Sequence, residues 1–566
     1  MSQAQLLRGQ SGLPVDNPTK SYWHKEPSAK LLGHRTTKEL PRSADVVIVG
    51  SGITGTFAAH FMKELRPDLD VVMVEAREAC WGATGRNGGH CQPAIYTSEP
   101  HVASFELRNY FFLKDLVEKF SIPCDWHTTS GVHAFYSPVL FAAVRRRVEY
   151  LMDEYPDLAA NVALVTKGKP GEDSNVEGTP AYLLEGERRE LTLDALRVPH
   201  AEGAVVQWNA ASLWPYKLVA FVLERLLAAN DDEEQGGGRG GGAKGSFNLQ
   251  TNTPVTGLSR AETPDLSSHH ESAKSTSTSI WTVHTPRGAI AASKVLLATN
   301  GYTSHLLPQF APLIVPTQGQ VSALEPPEKP ASPSDPPLDI KHTFYVEGEP
   351  GAPYERDDYL VQRPPASAEL IYGGGRRHAK GRGVAVWDDS YADDAVSWYL
   401  RGELGSVVDL SLHQHQHHPA SQPSSNSNPS SSTQETKPAT EEQKHHQKPL
   451  PGKQDLHPTH EWTGIMGYSK DAHPWVGAVP SSAGGDDGGG LWLCAGYTGH
   501  GMPNAVLSAK AVVDMMYGGG GGGETPAIDL PPEYELTEDR LARSRLLDEV
   551  ADVDAKGSLY ADFGAR

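Results

Sequence analysis

The sequence predicts a mixed α/β fold, and three stretches of the chain lead to this prediction. Residues 45–49 and 71–74 are short apolar runs typical of buried parallel strands, and a glycine turn and an amphipathic helix lie between them. A second strand, glycine turn and helix are predicted over residues 491–516. Val295–Ala298 is a further buried strand, and Thr299 and Asn300 follow it. Strands that alternate with helices in this way indicate an α/β architecture.

The first of these units contains a G-x-G-x-x-G turn, Gly50–Gly55, and its helix ends at Pro67. The glycines allow the backbone to approach a pyrophosphate at the helix N-terminus, where free N–H groups and the helix dipole favour an anion. Glu75, at the end of the next strand, can accept hydrogen bonds from ribose hydroxyls. A unit whose glycines serve only packing does not explain Glu75 together with the glycine cluster that follows, so we expect a dinucleotide site.

Composition limits the functional classes. The chain has 566 residues, enough for two or three domains, and a formal net charge of -20 at pH 7, which argues against a nucleic-acid partner held by phosphate contacts. The 4 cysteines lack paired spacing, which is typical of a reducing compartment. We find no apolar signal core at the N-terminus, no stretch suited to span a bilayer, and no SKL-type peroxisomal ending. We therefore expect a cytoplasmic enzyme with no membrane partner.

The other predicted helices have apolar residues at helical spacing. Phe105–Phe120 carries an aromatic stripe that is more typical of a core-facing helix than of a cofactor site, and residues 140–152 form an arginine-rich helix. Residues 211–230 contain a third helix, with a proline at its start, and Pro503 predicts the start of the last helix, because proline suits the first helical turn.

Further strands are predicted over residues 131–137, 249–258, 314–324, 344–346, 359–361 and 370–378. The last of these includes a glycine turn that leads to Arg376 and Arg377. The two arginines either grip an anionic group or lie at the surface of the turn.

Polar segments interrupt this pattern. Residues 231–242 are an acidic, glycine-rich stretch that predicts a flexible loop, and residues 267–279 are a polar insert. Residues 411–450 are of low complexity and include four closely spaced histidines, for which a solvated insert is favoured over a metal site. We therefore predict no bound metal. At the N-terminus the chain is either a disordered tail or is anchored on the body through Ser21–Trp23.

The loop after Glu75 reads CWGATGRNGGH over residues 80–90. Its glycines let the backbone run close to a flat ring system, and Arg86 or Asn87 can hydrogen-bond a cofactor or a substrate carboxylate. The alternative is a glycine-rich loop with a surface arginine. The loop resembles the D-amino-acid oxidase and glycine oxidase superfamily of flavoproteins. It is most similar to the gamma-glutamylputrescine oxidase branch, which carries a similar GRNGG segment.

Four further segments carry the same resemblance. The resemblance places Val255, in a T-x-V element, near the adenine of FAD, and the ATNG sequence of residues 298–301 beneath the cofactor. Residues 471–477 match a D-x-x-P-x-x-G core. GYTGHGM, residues 496–502, is placed at the pyrimidine edge of the flavin, where N–H groups and a helix N-terminus stabilise negative charge. His500 either assists there or is a structural histidine.

The family fold implies a discontinuous Rossmann-like FAD-binding domain and a substrate domain with a mainly antiparallel sheet, with the active site between them. In chain order, the predicted parts are an N-terminal extension (1–43), the first part of the FAD-binding domain (44–137), the first part of the substrate domain (138–210), the second part of the FAD-binding domain with flexible inserts (211–312), the second part of the substrate domain with its low-complexity insert (313–457, insert 411–450), the closing part of the FAD-binding domain (458–516) and a glycine-rich, acidic tail (517–566).

The resemblance also implies which residues bind FAD. These are Gly50, Gly52, Ile53, Thr54, Gly55, Glu75, Ala76, Arg77, Thr84, Gly85, Arg86, Asn87, Gly88, Gly89, Val255, Ala298, Thr299, Asn300, Gly496, Gly499, His500, Gly501 and Met502. The candidate catalytic residues are Arg86, His90, His500 and Arg376. We expect non-covalent FAD. Sarcosine and dimethylglycine dehydrogenases carry a histidine directly after a tryptophan, whereas Gly82 follows Trp81 here, and neither His90 nor Cys91 lies at the matching position.

The resemblance implies oxidation of a C–N bond in an amine or amino acid. Hydride passes from the substrate carbon to flavin N5, water hydrolyses the imine, and oxygen reoxidises the flavin to give hydrogen peroxide. The alternatives are a dehydrogenase with another electron acceptor, a flavin monooxygenase and a non-catalytic flavin-binding module. The sequence contains no second G-x-G-x-x-G unit for a nicotinamide cofactor, which argues only in part against a monooxygenase, since some hydroxylases lack one too.

Overall fold

The structure is a computed structural model, and it describes residues 6–168, 175–177, 191–235, 245–261, 280–327, 337–364, 367–412, 455–486, 488–518 and 528–547. Its α-helices are α1 (Ile53–Leu65), α2 (Pro100–Phe120), α3 (Pro138–Glu154), α4 (Pro156–Ala159), α5 (Pro215–Gln235), α6 (Thr303–Leu306), α7 (Asp394–Val407), α8 (Ala505–Tyr517) and α9 (Glu538–Leu546). Short 3₁₀ turns include Tyr22–His24, Ala83–Arg86, Asn300–Tyr302, Arg376–His378, Lys380–Gly383 and Pro532–Tyr534.

The strands form two sheets. They are β1 (Ser43–Val49), β2 (Val71–Val74), β3 (His90–Cys91), β4 (His127–Phe135), β5 (Val162–Thr166), β6 (Asn175–Glu177), β7 (Gly203–Ser212), β8 (Phe247–Gln250), β9 (Gly257–Ala261), β10 (Ile280–Thr285), β11 (Gly288–Leu297), β12 (Ile314–Leu324), β13 (Thr343–Glu349), β14 (Ala352–Gln362), β15 (Leu370–Gly373), β16 (Pro458–Ser469), β17 (Trp475–Ala478) and β18 (Leu491–Ala495).

The first sheet has the order β17-β18-β11-β1-β2-β8, and β9 and β10 extend from β11. The pairs from β18 to β8 are parallel, and β1 lies at the centre, between β11 and β2. Val46 and Ile48 pack into a core with residues of α1, α5 and α8, whereas Val47 and Val49 face a second core with residues of β10 and α9. Both faces of the strand are buried, and this accounts for its continuous apolar sequence.

The second sheet has the order β16-β12-β15-β14-β13-β4-β7-β5-β6, and β3 pairs with β7. All of these pairs are antiparallel except β13 with β4. One core of this sheet contains residues of β4, β13, β14 and α7. The predicted α/β class, with a parallel dinucleotide-type sheet and a mainly antiparallel second sheet, is confirmed.

Three local predictions are wrong in their bounds. The strand expected over 249–258 is interrupted, because Asn252 adopts a positive φ of 50° and the chain turns from β8 into β9. The last long helix begins at Ala505, with Asn504 as its N-cap, so Pro503 lies in the preceding turn instead of the first helical turn. The loop expected from residue 231 begins later, since α5 continues to Gln235. The rest of that loop, residues 267–279 and residues 413–450 lie outside the described residues.

Both terminal segments pack onto the body where the structure describes them. Tyr22 and Trp23 are fully buried, and Trp23 donates its indole N–H to the Asn87 carbonyl oxygen. At the other end, Tyr534 is buried, and its hydroxyl donates to the Asn504 side chain at 2.8 Å. The described part of the extension, residues 6–43, is thus anchored by aromatic residues, and part of the predicted tail is folded. Among the described residues, no helix combines the length and the apolar character needed to cross a membrane.

The C-terminal helix is held by a buried ion pair. Arg540 is 4% exposed, donates to both Asp471 carboxylate oxygens at 2.8 and 2.9 Å, and lies over the Trp475 ring at 3.7 Å. Burial raises the pKa of Asp471, but hydrogen bonds and charge from Arg540 outweigh burial, and the pKa lies below its usual value. The pair therefore joins α9 to the loop before β17.

We expect Arg540→Met to lower the free energy of unfolding by about 3 kcal/mol, because it leaves a largely buried carboxylate without its cation. Urea unfolding followed by tryptophan fluorescence measures this change. The control is Arg543→Met, an exposed residue of the same helix, for which we expect a change within about 0.5 kcal/mol. Equal stabilities of the two variants would contradict the assigned role of Arg540.

Candidate active site

The glycine turn after β1 forms one end of the candidate site. Gly50 has a φ of +107°, and a Cβ there would lie 2.7 Å from the Ala298 carbonyl oxygen, so the backbones at the ends of β1 and β11 approach closely. A Cβ at Gly55 would lie 2.0 Å from the Gly50 oxygen. α1 begins directly after this turn, and the Ile53 N–H donates to the Thr84 hydroxyl at 3.1 Å. The free N–H groups of this helix end favour an anion.

Glu75 follows β2 at the same edge of the sheet. Its Oε2 accepts hydrogen bonds from the Ser51 N–H at 3.0 Å and the Ser51 hydroxyl at 2.7 Å, and its Oε1 accepts the Arg77 N–H at 3.0 Å. A carboxylate oxygen has two acceptor positions, so Oε1 can also accept a ribose hydroxyl. The Arg77 guanidinium is directed to Asp389, with Nη1 3.0 Å from each carboxylate oxygen.

Arg86 is buried, with 2% exposure, and most of its donors are bonded within the protein. Nε donates to the Thr463 carbonyl oxygen at 2.7 Å and lies 3.3 Å from Asp389 Oδ2, and Nη2 donates to the carbonyl oxygen and hydroxyl of Thr19. Burial lowers the pKa of Arg86 to about 10, so it remains a cation at neutral pH. Only Nη1 has no hydrogen-bond partner among the described residues. The surface-arginine interpretation of Arg86 is therefore wrong.

The second glycine turn contains His500, which is held by a buried acid. His500 Nε2 lies 3.1 Å from Glu106 Oε2, and Glu106 also accepts the Ala94 N–H at 2.6 Å and the Asn504 amide at 2.8 Å. Burial lowers the pKa of His500, but the Glu106 carboxylate outweighs burial and raises it above the ordinary value. Glu106 thus favours the protonated form of the imidazole in the turn that leads into α8.

Two further histidines lie close to His500 and are neutral. Burial and the charge of His500 lower the pKa of His90 to about 4, and burial lowers that of His133 to about 3. His133 Nδ1 is 2.5 Å from the Tyr96 hydroxyl, and its Nε2 is 2.5 Å from the Gln92 side-chain amide. His90 Nε2 is 3.0 Å from the Thr343 hydroxyl. The cluster thus places two neutral imidazoles beside His500, whose pKa is raised.

Arg376 projects from the second sheet. Its Nη2 and Nε donate to Asp357 Oδ2 at 2.7 and 3.3 Å, and its guanidinium carbon lies 5.2 Å from the centre of the Tyr468 ring. Nη1 is buried and has no hydrogen-bond partner within the described residues. Tyr345, on β13, stands between this arginine and the histidines, with its ring centre 5.7 Å from that of His133. Nη1 is thus the guanidinium nitrogen of Arg376 that is left to bind an anionic group.

All four candidate catalytic residues line one cavity of about 1000 Å³ that joins the edges of the two sheets. The predicted cofactor residues that also line it are Gly50, Gly52, Ile53, Thr54, Glu75, Ala76, Arg77, Thr84, Arg86, Asn87, Gly88, Val255, Ala298, Thr299, Asn300, Gly499, His500, Gly501 and Met502. Four predicted glycines, Gly55, Gly85, Gly89 and Gly496, lie behind the wall instead. Gly85 and Gly89 are required there because a Cβ would collide with His24 or Trp23.

Several lining residues have no counterpart in the sequence prediction. They are Leu13 and Pro14 from the N-terminal segment, Glu106, His133, Tyr345, Asp357 and Tyr359 from helices and strands, and Glu533 and Tyr534 from the C-terminal segment. Alternation of residues along β4 and β13 assigns His133 and Tyr345 to one face of their strands. This pattern does not show whether that face lines a cavity or packs in the core. In the described part of the chain, no group of three or more His, Cys, Asp or Glu is arranged to hold a metal ion.

The comparisons with known proteins agree with this geometry. The pattern of the family described as DAO, FAD dependent oxidoreductase, matches residues 45–515. The chain belongs to this family. It is similar in fold to glycine oxidase from Geobacillus kaustophilus (16% identity, TM-score 0.55, 88% of this chain and 99% of that chain covered). Two other similar structures are L-proline dehydrogenase from P. horikoshii (15%, 0.52, 88% and 97%) and iminodiacetate oxidase from Chelativorans sp. BNC1 (13%, 0.53, 87% and 98%). No curated protein sequence matches the chain.

The cavity fits the FAD that this family requires. Its volume is at the upper end of the range for ligand sites. The first residues of α1 line it, and so does Arg86, whose buried Nη1 has no partner among the described residues. The residues around the first glycine turn and Glu75 would hold the dinucleotide part, and those around Thr299 and His500 the flavin part.

We expect Glu106→Gln to lower the pKa of His500 below 6.5, because burial remains while the opposing carboxylate is lost. A pH titration of isotope-labelled histidine by NMR, with the His500 signal assigned from His500→Gln, measures this shift. Stability from the charged pair is fully present below the unfolded pKa of about 6.5 and is lost as the pH rises through the raised pKa of folded His500.

The matched control is Glu118→Gln, an exposed acid three turns further along α2. It should leave the His500 titration within about 0.2 units of the parent protein. If the pKa of His500 stays above 6.5 in Glu106→Gln, a group other than Glu106 stabilises the protonated form of this histidine.

Proposed function

We propose that this FAD-dependent oxidoreductase oxidises a C–N bond of an amine or amino acid and transfers the electrons to oxygen, with hydrogen peroxide as product. The observation that carries the proposal is that Arg376, whose buried Nη1 has no partner among the described residues, lines the same cavity as the two glycine turns and His500. FAD supplies the hydride acceptor when it is bound. Three structural neighbours are named for amino acid or imino acid substrates, which supports this substrate class.

In this proposal the protein mainly binds and orients the substrate. Arg376 holds a substrate carboxylate through Nη1, and Asp357 fixes the guanidinium plane through the other two nitrogens. His90 and His133 are neutral, so they do not repel the cationic form of the amine. When FAD is bound, His500 and the N–H groups that precede α8 would offset negative charge at the pyrimidine edge of the flavin.

Three finer points belong to the same proposal. FAD is bound non-covalently, so denaturation with acid should release the yellow colour into the supernatant. The GRNGG segment supports a place for this chain near the gamma-glutamylputrescine oxidase branch. Gamma-glutamylputrescine should therefore be among the substrates tested. The 4 cysteines are free and buried, which supports a cytoplasmic location.

An anaerobic screen of amines and amino acids tests the function. We expect a substrate to bleach the flavin absorbance without oxygen, and to give hydrogen peroxide in stoichiometric amount when air is admitted. Bleaching without peroxide favours the second candidate, a dehydrogenase with another acceptor, for which the likeness to L-proline dehydrogenase from P. horikoshii is the supporting observation. A bound flavin that no amine reduces would contradict the proposal and favour a monooxygenase or a non-catalytic flavin-binding module.

We expect Arg376→Gln to raise the KM of a carboxylate-bearing substrate about 10- to 100-fold, since one charge-assisted hydrogen bond is worth about 1.5–3 kcal/mol. Steady-state kinetics measure this change. Arg377→Gln is the matched control, because Arg377 bonds Glu349 outside the cavity and should change KM less than about twofold. Equal KM values in the two variants would remove Arg376 from the proposed carboxylate site.

A further inference from the structure

Asp389 joins the two loops that carry the predicted cofactor residues. Its carboxylate is fully buried, 3.0 Å from Arg77 Nη1 through each oxygen and 3.3 Å from Arg86 Nε through Oδ2. Arg77 follows β2, and Arg86 lies in the GRNGG loop, whereas Asp389 comes from the connection between β15 and α7, more than 300 positions later in the chain. One carboxylate therefore fixes two buried guanidinium groups that line the cavity.

The same junction holds the N-terminal segment, residues 6–24, which we call the N-terminal strap. The Thr19 N–H donates to the Asp389 carbonyl oxygen at 2.7 Å, and Arg86 Nη2 donates to the carbonyl oxygen and hydroxyl of Thr19. On one side of this junction, Leu13 and Pro14 line the cavity, and on the other Trp23 is buried against the GRNGG loop. The strap thus covers part of the cavity wall, and Thr19 is one of its attachment points, beside Ser11 on Ser304 and Ser21 on Gly85.

The stability of this junction depends on the charge of one residue, Asp389. Arg77 and Arg86 are 6% and 2% exposed, and burying a cation without a counter-charge is costly. If the Asp389 charge is removed, both guanidinium groups lose their common partner, and the bonds from Arg86 to Thr19 and Thr463 lose their fixed geometry. The attachment of the strap at Thr19 is then weakened, whereas its hydrogen bonds from Ser21 and Trp23 to the GRNGG loop remain.

We propose that Asp389 is a positioning residue for FAD, and that it couples retention of the cofactor to closure of the N-terminal strap. The cofactor cannot leave the cavity at its full rate until the strap is released from Arg86 and Asp389. Occupancy of the cavity by FAD in turn keeps the strap closed. This coupling concerns the binding of FAD and is independent of the substrate and of the final electron acceptor.

Two rates measured on the holoenzyme test the proposal. The first is FAD release after dilution, followed by flavin fluorescence, and the second is tryptic cleavage after Lys20, an exposed site in the strap, followed by mass spectrometry. We expect Asp389→Asn to raise both rates at least about tenfold, because it leaves two buried cations unpaired. In the parent protein, excess FAD should slow cleavage after Lys20, and in Asp389→Asn this protection should be largely lost.

A second, milder variant tests the proposal even if Asp389→Asn does not fold. Thr19→Val removes the hydroxyl that Arg86 binds and keeps both arginine pairs with Asp389, so we expect a smaller rise of both rates, about two- to fivefold. Asp394→Asn is the matched control, an exposed acid at the start of α7, and should change neither rate more than about twofold. The proposal fails if Thr19→Val releases FAD at the parent rate, or if FAD does not protect Lys20 in the parent protein.

Discussion

Two buried guanidinium groups share one buried carboxylate where the two sheets meet, and the geometry of the cavity depends on this charge balance. Arg77 and Arg86 belong to loops of the parallel sheet, whereas Asp389 belongs to the part of the chain that forms the antiparallel sheet. Neither arginine can turn to solvent without opening the wall of the cavity. Separating the two sheets here would leave buried charges unpaired, which is costly. The ion pairs therefore help to keep the sheets together, in addition to the apolar contacts between them.

The packing around the GRNGG loop gives a second physical reason why glycine is required at Gly88 and Gly89. A Cβ at Gly88 would lie 2.1 Å from the Tyr359 ring, and one at Gly89 would lie 2.6 Å from the Trp23 ring. The loop is therefore compressed between the antiparallel sheet on one side and the strap on the other. The sequence suggests that this backbone runs close to a ring system. In the structure it runs close to the rings of Tyr359 and Trp23 as well as along the cavity.

The sequence predicts those parts of the site that are local. The Gly50–Gly55 turn, Glu75 and the turn around His500 each lie within one strand–turn–helix unit, and continuous apolar strands mark the parallel sheet. Asp389 and Glu106 were not predicted, because their partners lie elsewhere in the chain and each acid taken alone looks like an ordinary surface residue. The folded C-terminal segment was missed for the same reason, since Arg540 is explained only by its contact with Asp471.

The charges around Arg376 also bear on the kind of substrate that the proposed oxidation favours. Asp357, the acid that lines this part of the cavity, is already bonded to Arg376, and burial raises the pKa of nearby Glu347 well above its usual value, which favours the neutral carboxyl. His90 and His133 are neutral, and Glu106 is committed to His500. Among the described residues beside Arg376, a dicationic amine would therefore find no carboxylate that is both charged and unpaired, whereas a substrate carboxylate would meet Arg376, whose buried Nη1 has no partner among these residues. The balance favours a substrate with a carboxylate and one amine at the reacting centre over a simple polyamine.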